Sequence, residues 1–488
     1  MTRLIRMLTV GLVVTGSLAL ATPARAGTIA VTTQADEYNT NPAACALREA
    51  IEAANADTAF GGCTAGSGPD TITIPAGTYV LSITGVDGNS TGDLNVESEI
   101  TLDPTGKVTI DGGMIDRVIL VDTTGTLTAA DLTITRGKTT AQGGGISNAG
   151  TLNLTGVTFT DNEADNGGGI SNDATATLRN VTISGNRAAD FGGGLSNDGP
   201  ATLNNVTVAN NTGDNDADGT GNGGGIFADS AVTISNSIVG DNTDKSPGAP
   251  DKHNDCSGTL TSAGHNLVED TTGCTIAGVT TGNITGRNPQ LFPLADNGGP
   301  TFTHALRKNS PAIDAGSPAS PPAGAAACEA TDQRGVPRPQ GPRCDIGAFE
   351  VEQPSAVQCL GQPVTISGTN GNDVITGTKK RDVIRALGGD DVIDALGGND
   401  RVCAGSGNDR VLARSGRDQV SSGAGNDRAI GHGGDDLLRG QGGRDRLKGK
   451  GGNDTLRGGA KPDRLNGGAG TDICRGGGGR DVIRRCEG

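Results

Sequence analysis

The sequence predicts an all-β protein in which a right-handed parallel β-helix is followed by a parallel β-roll. Three observations indicate this fold class: a repeat of 24 to 31 residues in mid-chain, a strict nine-residue repeat at the end, and few aromatic residues. Of 488 residues, 82 are glycine, 2% are aromatic and none is tryptophan, which is unlike a conventional globular core. Stacked repeats need small residues in turns and aliphatic ladders inside, which this composition supplies.

Residues 1–26 have the features of a secretory signal peptide. Arg3 and Arg6 precede an apolar run, and a small-x-small cleavage motif ends at Ala26. The alternative, a membrane-spanning helix, is disfavoured because the apolar run is shorter than the ~20 residues that a span needs. No later segment is apolar enough to cross a bilayer, so we expect a secreted, extracellular protein without a transmembrane anchor.

Export makes disulfides the expected state of the ten cysteines. A zinc site is disfavoured because the chain contains no CxxC motif. Closeness in sequence favours four pairs and leaves Cys359 and Cys403 over, although spacing alone does not fix connectivity. The four pairs are Cys45 with Cys63, Cys256 with Cys274, Cys328 with Cys344, and Cys474 with Cys486.

Two markers recur in phase through the middle of the chain. GGGI or GGGL begins at Gly143, Gly167, Gly192 and Gly223, and runs such as VTFTDN end at Asn162, Asn186, Asn211 and Asn242. Both series have spacings of 24, 25 and 31 residues, which indicates one structural unit per period. Alternating runs such as TLNLTGVTFT are strand signals, and stacked units bury aliphatic ladders with asparagine in the turns. We therefore predict a β-helix over 27–287, with GDNDADGTGN bulging from its last unit as a loop.

These repeats resemble those of the polymorphic outer-membrane proteins and related β-helical surface proteins. The stretch CALREAIEAAN, from Cys45 to Asn55, is similar to the CSLREA motif of many secreted bacterial β-helix proteins, with Ala46 in place of serine. We expect residues 45–51 to begin a short amphipathic helix that caps the first coil and shields its edge.

Residues 288–351 resemble the choice-of-anchor Q region. The resemblance rests on NPQLFPLADNGGPTFTHAL, SPAIDAGS, DQRGVPRP and CDIGAFE, and it implies a module that precedes interchangeable surface-retention tails. A short linker containing proline and glutamine is predicted over 352–367. The tail that follows, residues 368–488, is of a different kind.

Aspartate recurs every nine residues in this tail, thirteen times without a slip, from Asp373 to Asp481. An apolar residue such as Ile384, Val411 or Leu447 stands two positions after most of these aspartates. The pattern GGxGxDxUx resembles the nonapeptide of RTX-type, or hemolysin-type, calcium-binding proteins, which implies a calcium-binding parallel β-roll. In that pattern the glycines make a tight turn and U enters the core.

Two nonapeptides make one coil of such a roll, so aspartates eighteen residues apart are expected to stack in two rows. Carboxylates of adjacent coils and glycine carbonyls together offer the hard oxygen ligands that Ca²⁺ prefers, and folding should depend on the ion. The predicted calcium ligands are Asp373, Asp391, Asp400, Asp409, Asp418, Asp427, Asp436, Asp445, Asp454 and Asp472. Asp382 and Asp463 are left out because Lys380 and Lys461 replace the turn glycine two positions earlier.

The tail is basic within an acidic chain. Residues 368–488 hold 17 acidic and 21 basic side chains, a net charge of +4, whereas the whole chain has a net charge of −16. Arginines directly after the repeat aspartates, such as Arg410 and Arg446, are expected to project outward. There they either balance the aspartate rows or contact an anionic wall polymer, an extracellular polysaccharide or a membrane surface. Nucleic acid is not expected as a partner because interleaved aromatic residues for base stacking are absent.

The sequence favours a calcium-binding protein of the extracellular surface, with an adhesive or structural role. The alternative is a β-helix polysaccharide lyase or hydrolase with a calcium-stabilised C-terminal module. Its candidate acids, Asp161, Asp165, Asp190 and Asp241, all occur in turn contexts, where aspartate is common for structural reasons. The lack of tryptophan and the four scattered histidines indicate neither a sugar cleft nor a nucleophile motif, so no catalytic residue is predicted.

Overall fold

The computed structural model describes residues 27–85, 88–219, 221–247, 254–319, 327–352 and 358–487. The predicted signal peptide, 1–26, lies outside these ranges. Apart from one α-helix, the described elements are all β-strands, and the chain divides into two compact units, Met1–Val351 and Glu352–Gly488. None of the helical segments within the described ranges has the length and apolarity of a membrane span.

The first unit is a parallel β-helix with three main columns of strands. Each coil adds one strand to each column, in register with the coil before, so that Ile170 pairs with Ile146 on one side and Leu195 on the other. The first column contains Leu94–Val96, Ile119–Val121, Ile146–Asn148, Ile170–Asn172, Leu195–Asn197 and the beginning of Ile226–Ser235.

The remaining columns complete each coil, and some long strands extend through two columns. The second column contains Gly27–Ala30, Asp70–Val80, Glu99–Asp111, Thr126–Ala130, Thr151–Thr155, Thr175–Arg179, Ala201–Asn204, Cys256–Ser262 and Cys274–Gly278. The third contains Leu132–Thr135, Thr158–Thr160, Thr182–Ser184, Thr207–Ala209, Ile238–Gly240, Leu267–Val268 and Ile284–Thr285. A short fourth column contains Glu163–Ala164, Arg187–Ala188, Thr212–Gly213 and Thr243–Asp244.

Aliphatic side chains of successive coils stack inside the β-helix. Leu154, Leu178 and Leu203 are register partners in the second column, and all three are buried. They alternate with exposed or half-exposed residues because successive side chains of a strand point to opposite faces. The predicted interior ladders are therefore present, and they form one continuous apolar core from Ile29 to Val268.

The repeat asparagines are buried, and they join neighbouring coils. Asn162 Nδ2 donates to Asn186 Oδ1 at 2.9 Å, Asn186 Nδ2 to Asn211 Oδ1 at 2.9 Å, and Asn211 Nδ2 to Asn242 Oδ1 at 3.0 Å. A second ladder runs from Asn148 through Asn172 to Asn197. An asparagine amide both donates and accepts hydrogen bonds. In an unbroken stack, each buried asparagine therefore finds hydrogen-bond partners in the coils before and after it.

The only α-helix in the described residues, Leu47–Ala56, packs on the first strands of the β-helix. Glu49 accepts the backbone N–H of Ala46 at 3.1 Å, which is half of a capping box, but Ala46 has no hydroxyl for the other half. Arg48 is buried and pairs with Asp36 at 2.8 Å, while its guanidinium also donates to the carbonyl of Asp93 at 2.8 Å. The expected capping helix is thus fixed by buried polar contacts as well as by its apolar face.

The described part of residues 288–351 lies along the third column and pairs only through isolated bridges such as Leu291 with Leu306. Leu291, Leu306 and Ile346 belong to one apolar cluster with Ile238 and Leu267 of the third column. This segment is therefore part of the same compact unit as the β-helix.

Polar residues of the DQRG and CDIGAFE stretches hold this segment in place. Gln333 accepts from Thr182 Oγ1 at 2.6 Å and donates to Thr158 Oγ1 at 2.8 Å. Buried Arg338 donates to the carbonyls of Asp345 at 3.0 Å and Gly347 at 2.8 Å. These contacts give the two stretches a structural role, because each of them satisfies a buried polar group.

The second unit is a β-roll of two seven-stranded parallel sheets, which confirms the predicted fold class. The first roll sheet contains Ile366–Ser367, Val383–Gly388, Arg401–Ser406, Gln419–Ala424, Leu437–Gly442, Thr455–Ala460 and Ile473–Gly477. The second roll sheet contains Val374–Thr376, Val392–Asp394, Arg410–Ser415, Arg428–Gly433, Arg446–Gly451, Arg464–Ala469 and Val482–Arg484. Strand partners are eighteen residues apart, as in Leu447 with Leu465, so two nonapeptides form one coil.

Residues 358–367, which belong to the segment assigned to the linker, contain three short strands. Gln358–Cys359 and Gln362–Pro363 form a short antiparallel pair, and Ile366–Ser367 is already the first strand of the roll. The four cysteine pairs expected from proximity are joined, and Cys359 is bonded to Cys403, which closes the larger loop of 44 residues. A disulfide therefore fastens the antiparallel pair to the first roll sheet.

Candidate metal centre

The turns of the roll have glycine two positions before every repeat aspartate except Asp382 and Asp463. Gly443 and Gly452 have φ of +126° and +118°, a region that other residues avoid. A Cβ at Gly443 would collide with the carbonyl oxygen of Gly425, the equivalent glycine one coil earlier. The glycine turns of successive coils are thus in direct backbone contact, and the aspartate after each turn points into the roll.

From Asp391 onward, one oxygen of each repeat aspartate joins two coils. The backbone N–H of Asp427 donates to Asp445 Oδ1 at 2.9 Å, and the N–H of Asp436 donates to Asp454 Oδ1 at 2.9 Å. The same eighteen-residue bond recurs from Asp373, which donates to Asp391, through Asp463, which donates to Asp481. Each carboxylate is therefore oriented by the preceding coil.

The other oxygen of these carboxylates is buried and has no hydrogen-bond partner among the described residues. These Oδ2 atoms belong to Asp391, Asp400, Asp409, Asp418, Asp427, Asp436, Asp445, Asp454, Asp463 and Asp472. Each of these residues is at most 2% exposed. A buried anionic oxygen without a partner is costly, and a row of such oxygens is a chemical fit for a hard cation.

Backbone carbonyls converge on the same places as the unpartnered oxygens. A Cβ added at Gly440 would collide with both Asp445 Oδ2 and the carbonyl oxygen of Gly458, and one added at Gly449 would collide with Asp454 Oδ2. The missing side chain of glycine therefore leaves a small space lined by a carboxylate and a carbonyl. Both groups are oxygen ligands of the kind that Ca²⁺ prefers.

Burial and mutual repulsion raise the pKa of the aspartates in the two rows. Burial first, and neighbouring aspartates second, raise the pKa of Asp418, Asp427 and Asp436 to about 7 and that of Asp445 to about 6. The N–H bond to Oδ1 acts against this rise. The pKa is raised by the same causes at Asp391, Asp400, Asp409, Asp454 and Asp463. The protein environment alone thus disfavours the ionised rows, and a bound cation would offset that penalty.

The first repeats differ from the rest, and this changes the predicted ligand set. Asp373 Oδ2 accepts the backbone N–H of Thr369 at 2.6 Å, so this predicted ligand already has a partner. Asp382, which was left out, is the same: its Oδ2 accepts from the backbone N–H of Thr378 at 2.6 Å and from its hydroxyl at 2.9 Å. In each case the threonine four positions earlier donates a hydrogen bond to Oδ2 of the aspartate.

Asp463 has the geometry of the central aspartates despite Lys461. Its Oδ2 is buried and unpartnered, and Lys461 adopts the left-handed φ of +75° that the turn demands. A non-glycine residue can reach this region at an energetic cost. The geometry therefore favours Asp463 over Asp373, and sequence reasoning missed this because it treated a turn lysine as sufficient to remove a site.

The position five residues before aspartate divides the roll into two halves. It is glycine before Asp436 and every later repeat aspartate, as in Gly431 and Gly440. Before Asp391 to Asp427 it is alanine or serine, at Ala386, Ala395, Ala404, Ala413 and Ser422. Because a Cβ fills the space beside Oδ2, the later half has more room for an ion.

The acids considered for catalysis are distributed over separate turns of the β-helix. Asp161 and Asp241 follow strands three register steps apart, so they are separated by about 14 Å at normal strand spacing. That exceeds the roughly 5 to 10 Å between paired glycosidase carboxylates. Asp165 and Asp190 are in adjacent coils, and burial followed by the charges of Asp190 and Asp216 raises the pKa of Asp165.

One histidine contacts a serine in a way that the sequence did not reveal. His304 Nε2 lies 2.8 Å from Ser184 Oγ, and its Nδ1 lies 2.7 Å from the carbonyl oxygen of Phe292. Both residues are at most 3% exposed, and their contact joins the segment that contains His304 to the third column. We interpret this pair as a structural contact.

A further acidic group lies in the predicted loop. Ligand oxygens of Asp214, Asp216 and Asp218 lie within 4.8 Å of one another, and the D-x-D-x-DG spacing could have drawn attention to them. Asp214 is buried, and its Oδ1 accepts the backbone N–H of Asp218 at 3.1 Å. These local bonds give the group a role in shaping the loop.

Comparison with known proteins identifies the repeats of the second unit. The family described as "RTX calcium-binding nonapeptide repeat (4 copies)" matches residues 367–402, 376–411, 396–429, 412–447 and 448–483. No curated protein and no solved structure matches the chain. Both the family match and the eighteen-residue strand register lead to one conclusion: residues 367–483 are RTX calcium-binding nonapeptide repeats.

Proposed function

We propose that this chain is a secreted calcium-binding protein of the cell surface or extracellular space, whose C-terminal unit becomes stably folded when it binds Ca²⁺. The observation that carries the proposal is the series of buried, unpartnered Oδ2 atoms along the two aspartate rows. Calcium would supply positive charge to those oxygens and remove the repulsion between neighbouring coils.

The proposed ligands are the aspartates that possess such an oxygen, together with backbone carbonyls such as those of Gly458 and Gly467. Gly458 O lies beside Asp445 Oδ2, and Gly467 O lies beside Asp454 Oδ2, across the space where glycine lacks a side chain. We place the stronger sites in the later half, from Asp436 to Asp472, because glycine there leaves room for the ion. Asp373 is excluded because Thr369 already donates to it.

The extracellular assignment draws on the signal-like segment 1–26 and on five disulfides, which suit an oxidising compartment. An adhesive or structural role draws on the β-helix, whose long stacked columns make a stiff spacer. The resemblance of residues 288–351 to choice-of-anchor Q regions supports the same role. Localisation in the native host tests this: the mature chain should begin at Gly27 and be found outside the cytoplasm, whereas an uncleaved cytoplasmic chain would contradict it.

Calcium binding is tested by equilibrium dialysis of the oxidised full-length chain followed by elemental analysis. We expect several calcium ions per chain at about 1 mM free calcium, with little displacement by equal magnesium. A variant with Asp436, Asp445, Asp454 and Asp463 changed to Asn should lose most of this calcium. If that variant keeps the wild-type calcium stoichiometry, the aspartate rows are not the calcium ligands.

A further inference from the structure

A straight row of arginines crosses the second roll sheet. Arg410 pairs with Arg428, Arg428 with Arg446, and Arg446 with Arg464, each in register between adjacent parallel strands. Strand spacing places neighbouring arginines about 4.8 Å apart. We call these four residues the arginine row.

The strand pattern directs this row to solvent. Each arginine directly follows a buried aspartate and precedes a buried core residue, as Arg446 does between Asp445 and Leu447. All four arginines are exposed. Because successive side chains of a strand alternate between faces, the arginine side chains lie on the outer face while the core residues lie inside.

The arginine row has no counter-charge of its own. Among residues 358–487, the one ion pair is between Arg414 and Asp394, at 2.6 Å. No ion pair or side-chain hydrogen bond joins any member of the row to another described residue. The repeat carboxylates are buried, so they do not neutralise the outer face by direct contact. Four like charges at this spacing repel one another, and that repulsion favours an external polyanion.

More basic residues and two grooves lie beside the C-terminal end of the row. A groove of about 430 Å³ at Arg446 and Arg464 is also lined by Lys448 and Arg484. A second groove, of about 420 Å³, lies against the same two arginines and is lined by Arg444 and Arg480. The second groove also contacts Asp445 and Asp463, whose carboxylates are buried. The row thus continues into a recessed basic surface.

We propose that the arginine row binds a linear acidic polysaccharide that carries regularly spaced carboxylate or sulfate groups. Guanidinium groups form paired hydrogen bonds with such oxyanions, and a one-dimensional row with regular spacing matches a polymer with regular charges. The strand spacing is comparable with the length of one sugar residue. Residues 352–488 contain no Phe, Tyr or Trp, so the surface has no stacking platform for nucleic acid bases.

This inference rests on the proposed function, because the four arginines are aligned only when the repeats are folded, and we propose that calcium folds them. Calcium would also neutralise the buried carboxylates and leave the outer basic charge dominant. Binding of the polysaccharide should therefore require calcium, even though calcium usually competes with cationic side chains for acidic polymers.

The roll provides a matched control for the test. The outer face of the first roll sheet has its own register of arginines, Arg439 with Arg457 and Arg457 with Arg475. Changing Arg428, Arg446 and Arg464 to Gln gives the row variant, and changing Arg439, Arg457 and Arg475 to Gln gives the control variant. Both lose three positive charges, so a general charge effect would be the same in each.

The experiment measures binding of the full-length oxidised chain to dextran sulfate, with neutral dextran as the ligand control, in calcium and in chelator. We expect calcium-dependent binding, a loss of at least about tenfold in the row variant, and a change below about threefold in the control variant. The row variant should lose more because the two basic grooves lie against Arg446 and Arg464. Circular dichroism in calcium establishes that both variants are folded.

Different failures have different meanings. Equal losses in the two variants, or wild-type affinity in the row variant, would overturn the arginine row as the binding surface. Tighter binding to single-stranded DNA or phosphatidylserine vesicles, with the same sensitivity to the row variant, would overturn the polysaccharide assignment. If calcium leaves the circular dichroism of the wild-type chain unchanged, the proposed calcium function fails, whatever the polysaccharide result.

Discussion

Asp445 Oδ1 accepts the backbone N–H of Asp427 at 2.9 Å, while its Oδ2 is buried without a partner. One side chain thus joins two coils and also presents an anionic oxygen to the interior. The two oxygens have separable roles: hydrogen bonding through Oδ1 sets the register, and Oδ2 is available to a cation. This division of roles recurs along both rows.

Replacement of Asp445 by Asn should weaken calcium binding without removing the hydrogen bond that joins the two coils. The amide oxygen can still accept from Asp427, but the negative charge is lost, so we expect at least about a tenfold loss in affinity at the affected site. Isothermal titration of the full-length chain measures this. Asp435→Asn is the control, because Asp435 is exposed and the equivalent position is already asparagine at Asn408, Asn426 and Asn453. Equal effects of the two changes would contradict the assignment of Oδ2.

Stability should depend on pH in opposite directions with and without calcium. Burial and neighbouring charges raise the pKa of Asp427 and Asp436 to about 7 in the ion-free fold. A raised carboxyl pKa means that the folded state holds more protons, so ion-free stability is greatest at low pH and is lost as the pH rises through about 7. Calcium requires the ionised form, so calcium-bound stability should instead rise over the same window.

Urea unfolding of the second unit at pH 5, 6, 7 and 8 tests this, in calcium-free buffer and in saturating calcium. In calcium-free buffer the unfolding midpoint should fall with pH until no folded baseline remains at pH 7 and above, and in saturating calcium it should rise. Parallel trends in the two series would show that the buried carboxylates do not exchange protons for calcium.

A methyl group at Gly440 should weaken the site at Asp445. A Cβ there would collide with Asp445 Oδ2 and Gly458 O, so Gly440→Ala should lower calcium affinity several-fold. The reciprocal change, Ala404→Gly, should raise affinity in the earlier half, because it opens the same space beside Asp409. Calcium titrations of both variants measure the two effects. If both variants bind calcium with wild-type affinity, the space beside Oδ2 does not determine the difference in affinity between the two halves of the roll.

Asn186→Ala should destabilise the β-helix. Asn186 Nδ2 donates to Asn211 Oδ1 at 2.9 Å and to the carbonyl of Phe159 at 3.1 Å, and its Oδ1 accepts from Asn162. Buried partners left without a hydrogen bond cost about 2 kcal/mol or more in free energy of unfolding. Chemical denaturation in calcium-free buffer measures the loss in the first unit. The partly exposed Asn153 provides the control, and Asn153→Ala should change the free energy by less than about 0.5 kcal/mol.

Most of the fold could be predicted from the two sequence repeats. The nine-residue period fixes which residues enter the core, so Val411 and Leu447 are buried as expected, and eighteen-residue stacking follows from it. The in-phase asparagines likewise predicted the coils of the β-helix. Repeats are predictable from sequence because each unit contacts only its neighbours, and the same local pattern decides every interface.

The differences arise where a single residue decides the local geometry. The backbone N–H of Thr369 donates to Oδ2 of Asp373, and only the folded turn places that threonine beside the carboxylate. Lys461 accepts a left-handed backbone, so Asp463 keeps its position in the row. The Ser184 contact with His304 joins residues 120 apart in sequence, which no repeat pattern indicates. Long-range polar contacts of this kind depend on tertiary packing rather than on local sequence.

The most direct test of calcium-dependent folding is hydrogen exchange measured by mass spectrometry on the oxidised full-length chain, in calcium and in chelator. The amides of the repeat aspartates donate to carboxylates eighteen residues later, so peptides spanning 391–472 should gain strong protection in calcium but not in magnesium. Peptides from the β-helix, such as 146–204, should be unchanged. Equal protection of the repeats in chelator and in calcium would contradict the account, because the rows would then be folded without the ion.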